Sequence, residues 1–416
     1  MGGIGWISFL CVIPLIMLFR KRSLGLLDPL NIFLITRSSP MLAAAIILFI
    51  QFQLTYLTIV FIISGISFLV SLYFCTPKSK AIKLDSRSLP IKYLLSLSVI
   101  LVFLKTFILY QATGGIPLFS EGGSNAYIAF DVNNKLGSSF LLGMGAAELT
   151  LLAFIIPLLK TTRSRFFVII ILIYAIGIGL LGGKKSGLLS LSIAIALGEY
   201  LRLFFVANQK VFFLKLKFLL LGSVGIIGWG GYIFTKTEAT EFSNIDLTTV
   251  SFVLDFIMFQ WAYPFFLFVS GELNQFFISY EANEFTYFFH SLLSPLGAPA
   301  FEMSVGPSIN EFLTGTATGN GINPSFIIEG YVLVGLFLPL YAILAGIFIG
   351  KLRALLMRLA PFEFKIALIA FLLPASYTFA IDGLLFFKTL YVIIFLFIFI
   401  LVPLRMLFLN YRLSNG

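Results

Sequence analysis

Long apolar runs separated by short polar gaps constrain this chain of 416 residues more than any other feature. A helix crosses a hydrocarbon layer of about 30 Å with roughly 20 apolar residues, and it satisfies its own backbone hydrogen bonds there. The runs of about this length are 2–19, 30–50, 54–74, 92–111, 138–159, 166–182, 187–206, 215–234, 326–350, 364–381 and 384–404. The pattern predicts an all-α polytopic integral membrane protein with about eleven transmembrane helices.

The second run is the least regular, because Arg37 lies within it and Pro40 offers an alternative start for the helix. Composition supports the same class, since hydrophobic residues make up 59% of the chain and charged residues 11%. These proportions leave no room for a sizeable soluble domain. Residues 1–416 are therefore predicted to form a single membrane-embedded domain.

Basic residues are concentrated in alternate gaps. Cytoplasmic loops carry an excess of lysine and arginine, so this set of gaps is predicted to face the cytoplasm, with the N-terminus outside. The net charge of +10 then reflects orientation and attraction to anionic membrane lipids, and no nucleic-acid partner is expected. The set holds 21 of the 28 basic residues: Arg20, Lys21, Arg22, Lys78, Lys80, Lys83, Arg87, Lys92, Lys160, Arg163, Arg165, Arg202, Lys210, Lys215, Lys217, Lys351, Arg353, Arg358, Lys365, Arg405 and Arg412. Its only acidic residues are Asp28, Asp85, Glu199 and Glu363.

Two extended segments, 112–137 and 235–325, fall on the predicted outer face. Residues 250–270 within the second are apolar, but Asp255, Gln260 and Pro264 interrupt them. A crossing there would also move the basic residues of the next gap outside, so an interfacial or re-entrant helix is expected. Such backbone is tolerated at membrane depth only beside protein or water, which implies a cavity on the outer side.

Three sequences resemble the Wzy-type O-antigen and capsule repeat-unit polymerases, which are related in architecture to the O-antigen ligases. They are Gly-Gly-Ile-Pro-Leu-Phe-Ser at 114–120, Gly-Gly-Lys-Lys-Ser-Gly at 182–187, and Asn-Pro-Ser-Phe-Ile-Ile-Glu-Gly-Tyr at 323–331. The resemblance implies a glycosyltransferase of the bacterial inner membrane. Its donor and its acceptor would both be oligosaccharides linked to undecaprenyl pyrophosphate, and a regulator of chain length is a conceivable partner.

The sequence departs from the family pattern at two places. Lys184 and Lys185 stand where relatives often have arginine, and lysine lacks the planar bidentate fork of a guanidinium. Asp382 stands where relatives often have arginine before a glycine, so Lys388 is expected to supply the missing cation or Asp382 to contact the acceptor sugar.

A pyrophosphate leaving group gathers negative charge, so the reaction needs fixed cations close to it. Lys184 and Lys185 lie in a glycine-flanked turn that a phosphate can approach, although both could simply reach toward solvent. Lys388 could bind phosphate or anchor its helix at the interface, and Lys105 could bind phosphate or pair with Glu148. No Asp-x-Asp pair or histidine cluster appears on the outer face, so neither a metal nor another cofactor is expected.

The attacking sugar hydroxyl needs a base. Glu329 is the first candidate, because it follows Asn323 at the start of a span where partial desolvation would strengthen it as a base. His290 and Glu311 are further candidates. The alternatives are that Glu329 bridges to a neighbouring helix or lysine, that His290 packs among aromatic residues and that Glu311 is a solvated surface charge. Asn323 and Tyr331 are expected to contact the substrate, whereas most other aromatic residues at the boundary form an interfacial belt.

Two other functions remain open. An O-antigen ligase would use the same donor, and loss of a ligase leaves no repeat on the outer lipid, whereas loss of a polymerase leaves single repeats. A lipid-linked oligosaccharide flippase or other transporter would be favoured by two related halves, which are not evident in this sequence.

Overall fold

A computed structural model describes residues 3–26, 28–51, 55–78, 247–279, 305–315 and 325–358. It also describes the single positions 107, 110, 166, 197, 199, 200, 203, 211, 376, 377, 379, 380, 386, 390 and 406. Every regular element within these residues is a helix. In this described part of the chain, three apolar helical stretches are long enough to cross a membrane, namely Pro29–Ile50, Tyr56–Cys75 and Ser325–Met357. This agrees with a helical membrane protein, whereas the number of eleven crossings stays a prediction.

The first three predicted spans are helical to within two residues of their expected limits. α1 covers Ile4–Phe19. The second span consists of α2 (Pro29–Phe33), a π-helical turn (Leu34–Ser38) and α3 (Ser39–Ile50). The third is α4 (Tyr56–Cys75), which begins after Thr55, whose hydroxyl accepts a hydrogen bond from the Thr58 N–H at 3.2 Å. Apolar run length therefore located these helices well.

The second span begins at Pro29 and not at Pro40. Asp28 caps the helix by accepting the Leu30 N–H at 2.8 Å, and proline at the first helical position loses no hydrogen bond. Pro40 has no N–H to donate to the preceding turn, where an ordinary α-helix would be strained. The wider π-helical turn, which contains Arg37, accommodates it and lets the helix continue to Ile50.

The described parts of the segment 235–325, which are residues 247–279 and 305–315, contain three helices. α5 (Leu247–Ser270) has 24 residues, α6 covers Asn274–Ser279 and α7 covers Val305–Thr314. α5 packs against α1, α3 and α4, and the Phe265 ring lies 5.5 Å from that of Phe61. The expected helix at 250–270 is thus present and three residues longer at its start. Its interfacial or re-entrant placement stays a prediction.

The predicted span 326–350 is a helical hairpin and not one straight helix. α8 (Ser325–Val334) and α9 (Leu338–Arg358) are joined by a short 3-10 turn, Gly335–Phe337. A Cβ added to Gly330 would lie 2.7 Å from the Leu338 side chain, although eight residues of straight helix span about 12 Å. The chain reverses at Gly335, whose φ of 55° is favourable only for glycine. Of the two helices in this hairpin, only α9, with 21 residues, has the length of a full crossing.

α9 runs parallel to α4 and lies very close to it. A Cβ at Gly346 would come within 2.7 Å of the Phe68 carbonyl, and one at Gly350 within 2.9 Å of the Cys75 carbonyl carbon. Small residues four positions apart allow membrane helices to approach in this way, and the gain is van der Waals contact along both backbones. The two glycines explain why α4 and α9 form the most extensive helix pair in the described part of the chain.

α8 runs antiparallel to α4 and covers only part of its length. Its Tyr331 hydroxyl lies 3.4 Å from that of Tyr56 at the first residue of α4. Its Phe326 ring stacks at 4.4 Å on Phe68, which is twelve residues further along α4, or about 18 Å. α8 therefore begins inside the bundle. We call the end of the bundle at Tyr56 and Tyr331 the aromatic end.

The opposite end, where α1, α4 and α9 finish, is the basic end. Arg22 donates to the Thr76 carbonyl, and Arg353 donates to the Arg22 carbonyl at 3.1 Å. Arg22 also lies 4.0 Å from the centre of the Tyr73 ring. Three gaps that the charge pattern assigned to one side thus come together.

Candidate functional site

The start of α8 is buried and is capped by two hydrogen bonds. The Phe326 N–H donates to the Ala380 carbonyl at 3.1 Å, and the Ile327 N–H donates to the Ser325 hydroxyl at 3.3 Å. A helix start has N–H groups without partners in the helix, so burial requires partners of this kind. Ser325 has a φ of 59°, a left-handed conformation that costs a non-glycine residue on the order of 1 kcal/mol. The surrounding contacts hold this strained start in place.

Glu329 lies one turn after this start and is 2% exposed. Its carboxylate is close enough to the Tyr341 hydroxyl of α9 to interact with it electrostatically. The small Gly330 beside it lets α8 approach the Tyr341 ring. A carboxylate inside a membrane bundle is costly and usually serves a function. Among the predicted site residues that the structure describes, Glu329 is the one in an interior environment.

Glu311 is on α7 and is exposed. It does not share the interior environment of Glu329, and its position agrees with the expectation of a solvated surface charge. Phe312, the next residue, packs against Phe276 of α6 with 5.7 Å between ring centres. This ring contact joins α7 to α6.

Tyr331 belongs to an aromatic cluster at the aromatic end. Its ring lies 5.0 Å from Phe268 and 4.8 Å from Phe277, and its hydroxyl contacts Tyr56. Tyr331 is half-buried and Tyr56 is 57% exposed, so part of this surface is open. Partly exposed aromatic rings with hydroxyl groups suit both sugar rings and lipid headgroups. Contact of Tyr331 with substrate stays a prediction.

Seven predicted site residues lie outside the residues that the structure describes: Lys105, Lys184, Lys185, His290, Asn323, Asp382 and Lys388. Their described sequence neighbours nevertheless meet, because Phe326 follows Asn323 by three positions and Ala380 precedes Asp382 by two. The hydrogen bond between Phe326 and Ala380 thus links the chain segments beside Asn323 and Asp382, both of which the family resemblance implies for one site. The pairing of Lys105 with Glu148 also falls outside the described residues.

A buried ion pair at the basic end was missed in the sequence. Arg353 donates to both carboxylate oxygens of Asp28, at 2.9 and 2.6 Å, and to the Tyr377 hydroxyl at 3.1 Å. Both charged side chains are fully buried. The charge pattern places Arg353 only among the basic residues that indicate orientation. The Asp-Pro pair at 28 and 29 signalled a helix start, but nothing in the pattern signalled a partner 325 residues away.

Within the described residues, no group of three or more His, Cys, Asp or Glu side chains could hold a metal ion. Comparison of the chain with protein-family models, with curated proteins and with solved structures found no match. Any assignment of function therefore depends on the chemistry of the chain's own residues, foremost the interior carboxylate on the short helix α8.

Proposed function

We propose that this chain polymerises undecaprenyl-pyrophosphate-linked oligosaccharide repeat units at the outer face of the bacterial inner membrane. The acceptor hydroxyl oxygen attacks the anomeric carbon of the donor glycan, and the bond from that carbon to the pyrophosphate oxygen breaks. Undecaprenyl pyrophosphate leaves with the electron pair. Glu329 accepts the hydroxyl proton, so no metal ion is needed to activate the nucleophile.

The burial of Glu329 on a helix that begins inside the bundle supports this proposal most strongly. Interior carboxylates in membrane proteins are rare, and most mark substrate or proton paths. Irregular backbone at membrane depth occurs where protein or a cavity satisfies it, and the start of α8 at Ser325 is of this kind. A desolvated carboxylate is a stronger base than one in water, which suits proton removal from a sugar hydroxyl.

Access to the Glu329 carboxylate requires movement, because the residue is only 2% exposed. The hairpin turn is the natural hinge, since Gly335 permits backbone angles that other residues resist. The tip of the hairpin also has few packing restraints, with Leu336 63% and Phe337 73% exposed. In the proposed cycle, the turn at Gly335 opens to admit the acceptor and closes afterwards, while the start of α8 stays bonded through Phe326.

The leaving group would be bound by lysines. Lys184 and Lys185 are the first choice and Lys388 and Lys105 the second, because a pyrophosphate needs cations on the same face as the base. In this proposal the basic end faces the cytoplasm and the aromatic end faces outward. The lipid part of each substrate remains in the outer leaflet while its glycan reaches the aromatic end.

A lipid-linked oligosaccharide flippase is the second candidate, and one observation favours it. Transporters often build their substrate sites from discontinuous helices near the middle of the membrane, and α8 is a short helix of this type. An O-antigen ligase, which would use the same donor, is the third. The structure of the described residues offers no feature that favours a ligase over a polymerase.

The decisive experiment incubates purified protein with its lipid-linked repeat units and separates the products by length. A polymerase produces a ladder of longer glycans, and Glu329→Gln should reduce the rate of elongation by about a hundredfold, the lower end of the range for loss of a general base. Glu311→Gln is the matched control, because it makes the same chemical change at an exposed site. That variant should retain the wild-type rate.

The outcomes separate the candidates. Wild-type protein that makes no ladder but moves lipid-linked repeats across vesicle membranes would replace the polymerase by the flippase. Cells lacking the protein distinguish the ligase, since they would carry no repeat on the outer lipid instead of a single one. An unchanged elongation rate in Glu329→Gln would reduce Glu329 to a structural role.

A further inference from the structure

We infer that Tyr377, held by the buried Arg353–Asp28 ion pair, is a positioning residue that sets the depth of α8 and hence of Glu329. The catalytic half of this inference rests on the proposed function. Its structural half concerns only the attachment of α8 and can be tested without any glycan substrate. Arg353 and Asp28 lie at the basic end, far from the aromatic end where the substrate glycan is proposed to bind.

The ion pair is a rigid anchor. Asp28 is fixed to the backbone at the start of α2, where its carboxylate accepts the N–H groups of Leu24 at 2.5 Å and Leu30 at 2.8 Å. Arg353 donates a hydrogen bond to each oxygen of the same carboxylate, and neither side chain is exposed. Bidentate pairs of this type have a defined geometry as well as strength, so they hold both partners in one orientation.

Tyr377 links the ion pair to the start of α8. Its hydroxyl accepts a hydrogen bond from Arg353 at 3.1 Å, and its ring stacks on Phe33 of α2 at 5.5 Å. Its carbonyl accepts the Ala380 N–H at 3.2 Å, and the Ala380 carbonyl in turn accepts the Phe326 N–H at 3.1 Å. A continuous series of bonds thus runs from the ion pair to the first turn of α8.

Glu329 is three residues after Phe326, or about one turn of helix. A change in the position of Phe326 therefore moves the carboxylate by a similar distance, since a short helix behaves as a rigid rod. Displacements of about 1 Å at a reacting group can lower a rate about a hundredfold. The charge pattern of the sequence indicates only that Arg353 contributes to orientation. In the structure, Arg353 is also connected through Tyr377 and Ala380 to the helix that carries the proposed base, Glu329.

The structural test uses a cross-link across the Phe326–Ala380 contact. Ser325→Cys and Ala380→Cys are introduced together into protein whose two natural cysteines, Cys11 and Cys75, are replaced by alanine. Dibromobimane, a short reagent that becomes fluorescent when it joins two thiols, reports on the contact in membranes. Adding Tyr377→Phe removes one hydroxyl and keeps the stacked ring, so the cross-linking rate should fall about fivefold through loss of a charge-assisted hydrogen bond.

The matched control is Tyr73→Phe. Tyr73 also lies at the basic end and also contacts an arginine, Arg22, but through its ring face, which phenylalanine retains. The control should leave the cross-linking rate unchanged. Polymerisation is then measured with the same two variants in protein with natural cysteines. Tyr377→Phe should lower kcat about tenfold and leave KM within about twofold, because it alters the position of the Glu329 carboxylate and not the contacts with the glycan.

Each result has one meaning. Slower cross-linking with lower kcat and an unchanged KM supports the inference. An unchanged cross-linking rate in Tyr377→Phe, or no cross-link in the parent pair, overturns it whatever the activity. Slower cross-linking in a protein that makes no ladder even as wild type keeps the attachment of α8 and rejects the proposed function. Loss of kcat in Tyr73→Phe as well would show a general effect at the basic end and would overturn a specific role for Tyr377.

Discussion

The two ends of the described bundle are held together by different interactions. At the basic end, Arg353, Asp28 and Tyr377 form directed hydrogen bonds between fully buried groups. At the aromatic end, Tyr331 and Tyr56 meet through one hydroxyl contact of 3.4 Å that is exposed, within a cluster of rings. Buried charges tolerate only one arrangement, whereas aromatic rings can slide and repack. The basic end is therefore suited to fix helices and the aromatic end to let them move.

The largest expected effect is at the basic end. Arg353→Met leaves the Asp28 carboxylate buried without its partner and should lower the free energy of unfolding by about 3–5 kcal/mol. Lys351→Met is the matched control, because Lys351 is exposed on the same helix two residues earlier. It should change stability by less than about 0.5 kcal/mol. The midpoint of unfolding by sodium dodecyl sulfate in mixed micelles measures both, and equal midpoints would remove the distinction between the ends.

The next effect concerns the helix pair that connects the two ends. Gly346→Ala places a methyl group 2.7 Å from the Phe68 carbonyl and 3.0 Å from the Leu72 nitrogen. Backbone cannot yield as a side chain does, so α4 and α9 must separate, at a cost of about 1–3 kcal/mol. Leu344→Ala, on an exposed face of α9, serves as the control and should cost clearly less. A stable Gly346→Ala protein would show that the pair is looser than the glycine contacts indicate.

A smaller effect is expected at the aromatic end. Tyr331→Leu removes the ring contacts with Phe268 and Phe277 and should lower the free energy of unfolding by about 1 kcal/mol. Tyr331→Phe keeps both ring contacts and should remain within about 0.5 kcal/mol of wild type. The same unfolding midpoints report the result. A loss as large as that of Arg353→Met would mean that the aromatic end is as rigid as the basic end.

The smallest effect is that of the hydroxyl contact. Tyr56→Phe removes one partner of a 3.4 Å contact that water can replace, since Tyr56 is 57% exposed. Stability should change by less than about 0.5 kcal/mol, in contrast with the buried hydroxyl of Tyr377. The comparison of Tyr56→Phe with Tyr377→Phe is thus a direct measure of what burial adds to a tyrosine hydroxyl. Equal effects would contradict the proposed contrast.

The length of the apolar runs and the distribution of basic residues predicted much of the described fold. α1, α3 and α4 end within two residues of the expected limits, because a membrane demands a minimum of apolar length. The hairpin at Gly335 was not predicted, because residues 325–357 are apolar on both sides of the turn and hydropathy does not record a reversal. Glu329 was predicted as a site residue and is buried, but its neighbour Tyr341 was not foreseen.

The sequence by itself determined that the chain is a helical membrane protein, where its first helices lie and which carboxylate is the first candidate for a base. These properties follow from local composition, since each depends on about 20 neighbouring residues. The tertiary structure alone decided that α8 begins inside the bundle and that Arg353 pairs with Asp28. Both depend on contacts between residues distant in the chain. The local sequence around each residue is compatible with other partners, so it does not specify these contacts. The buried ion pair is the clearest case, because its two residues are 325 positions apart in the chain.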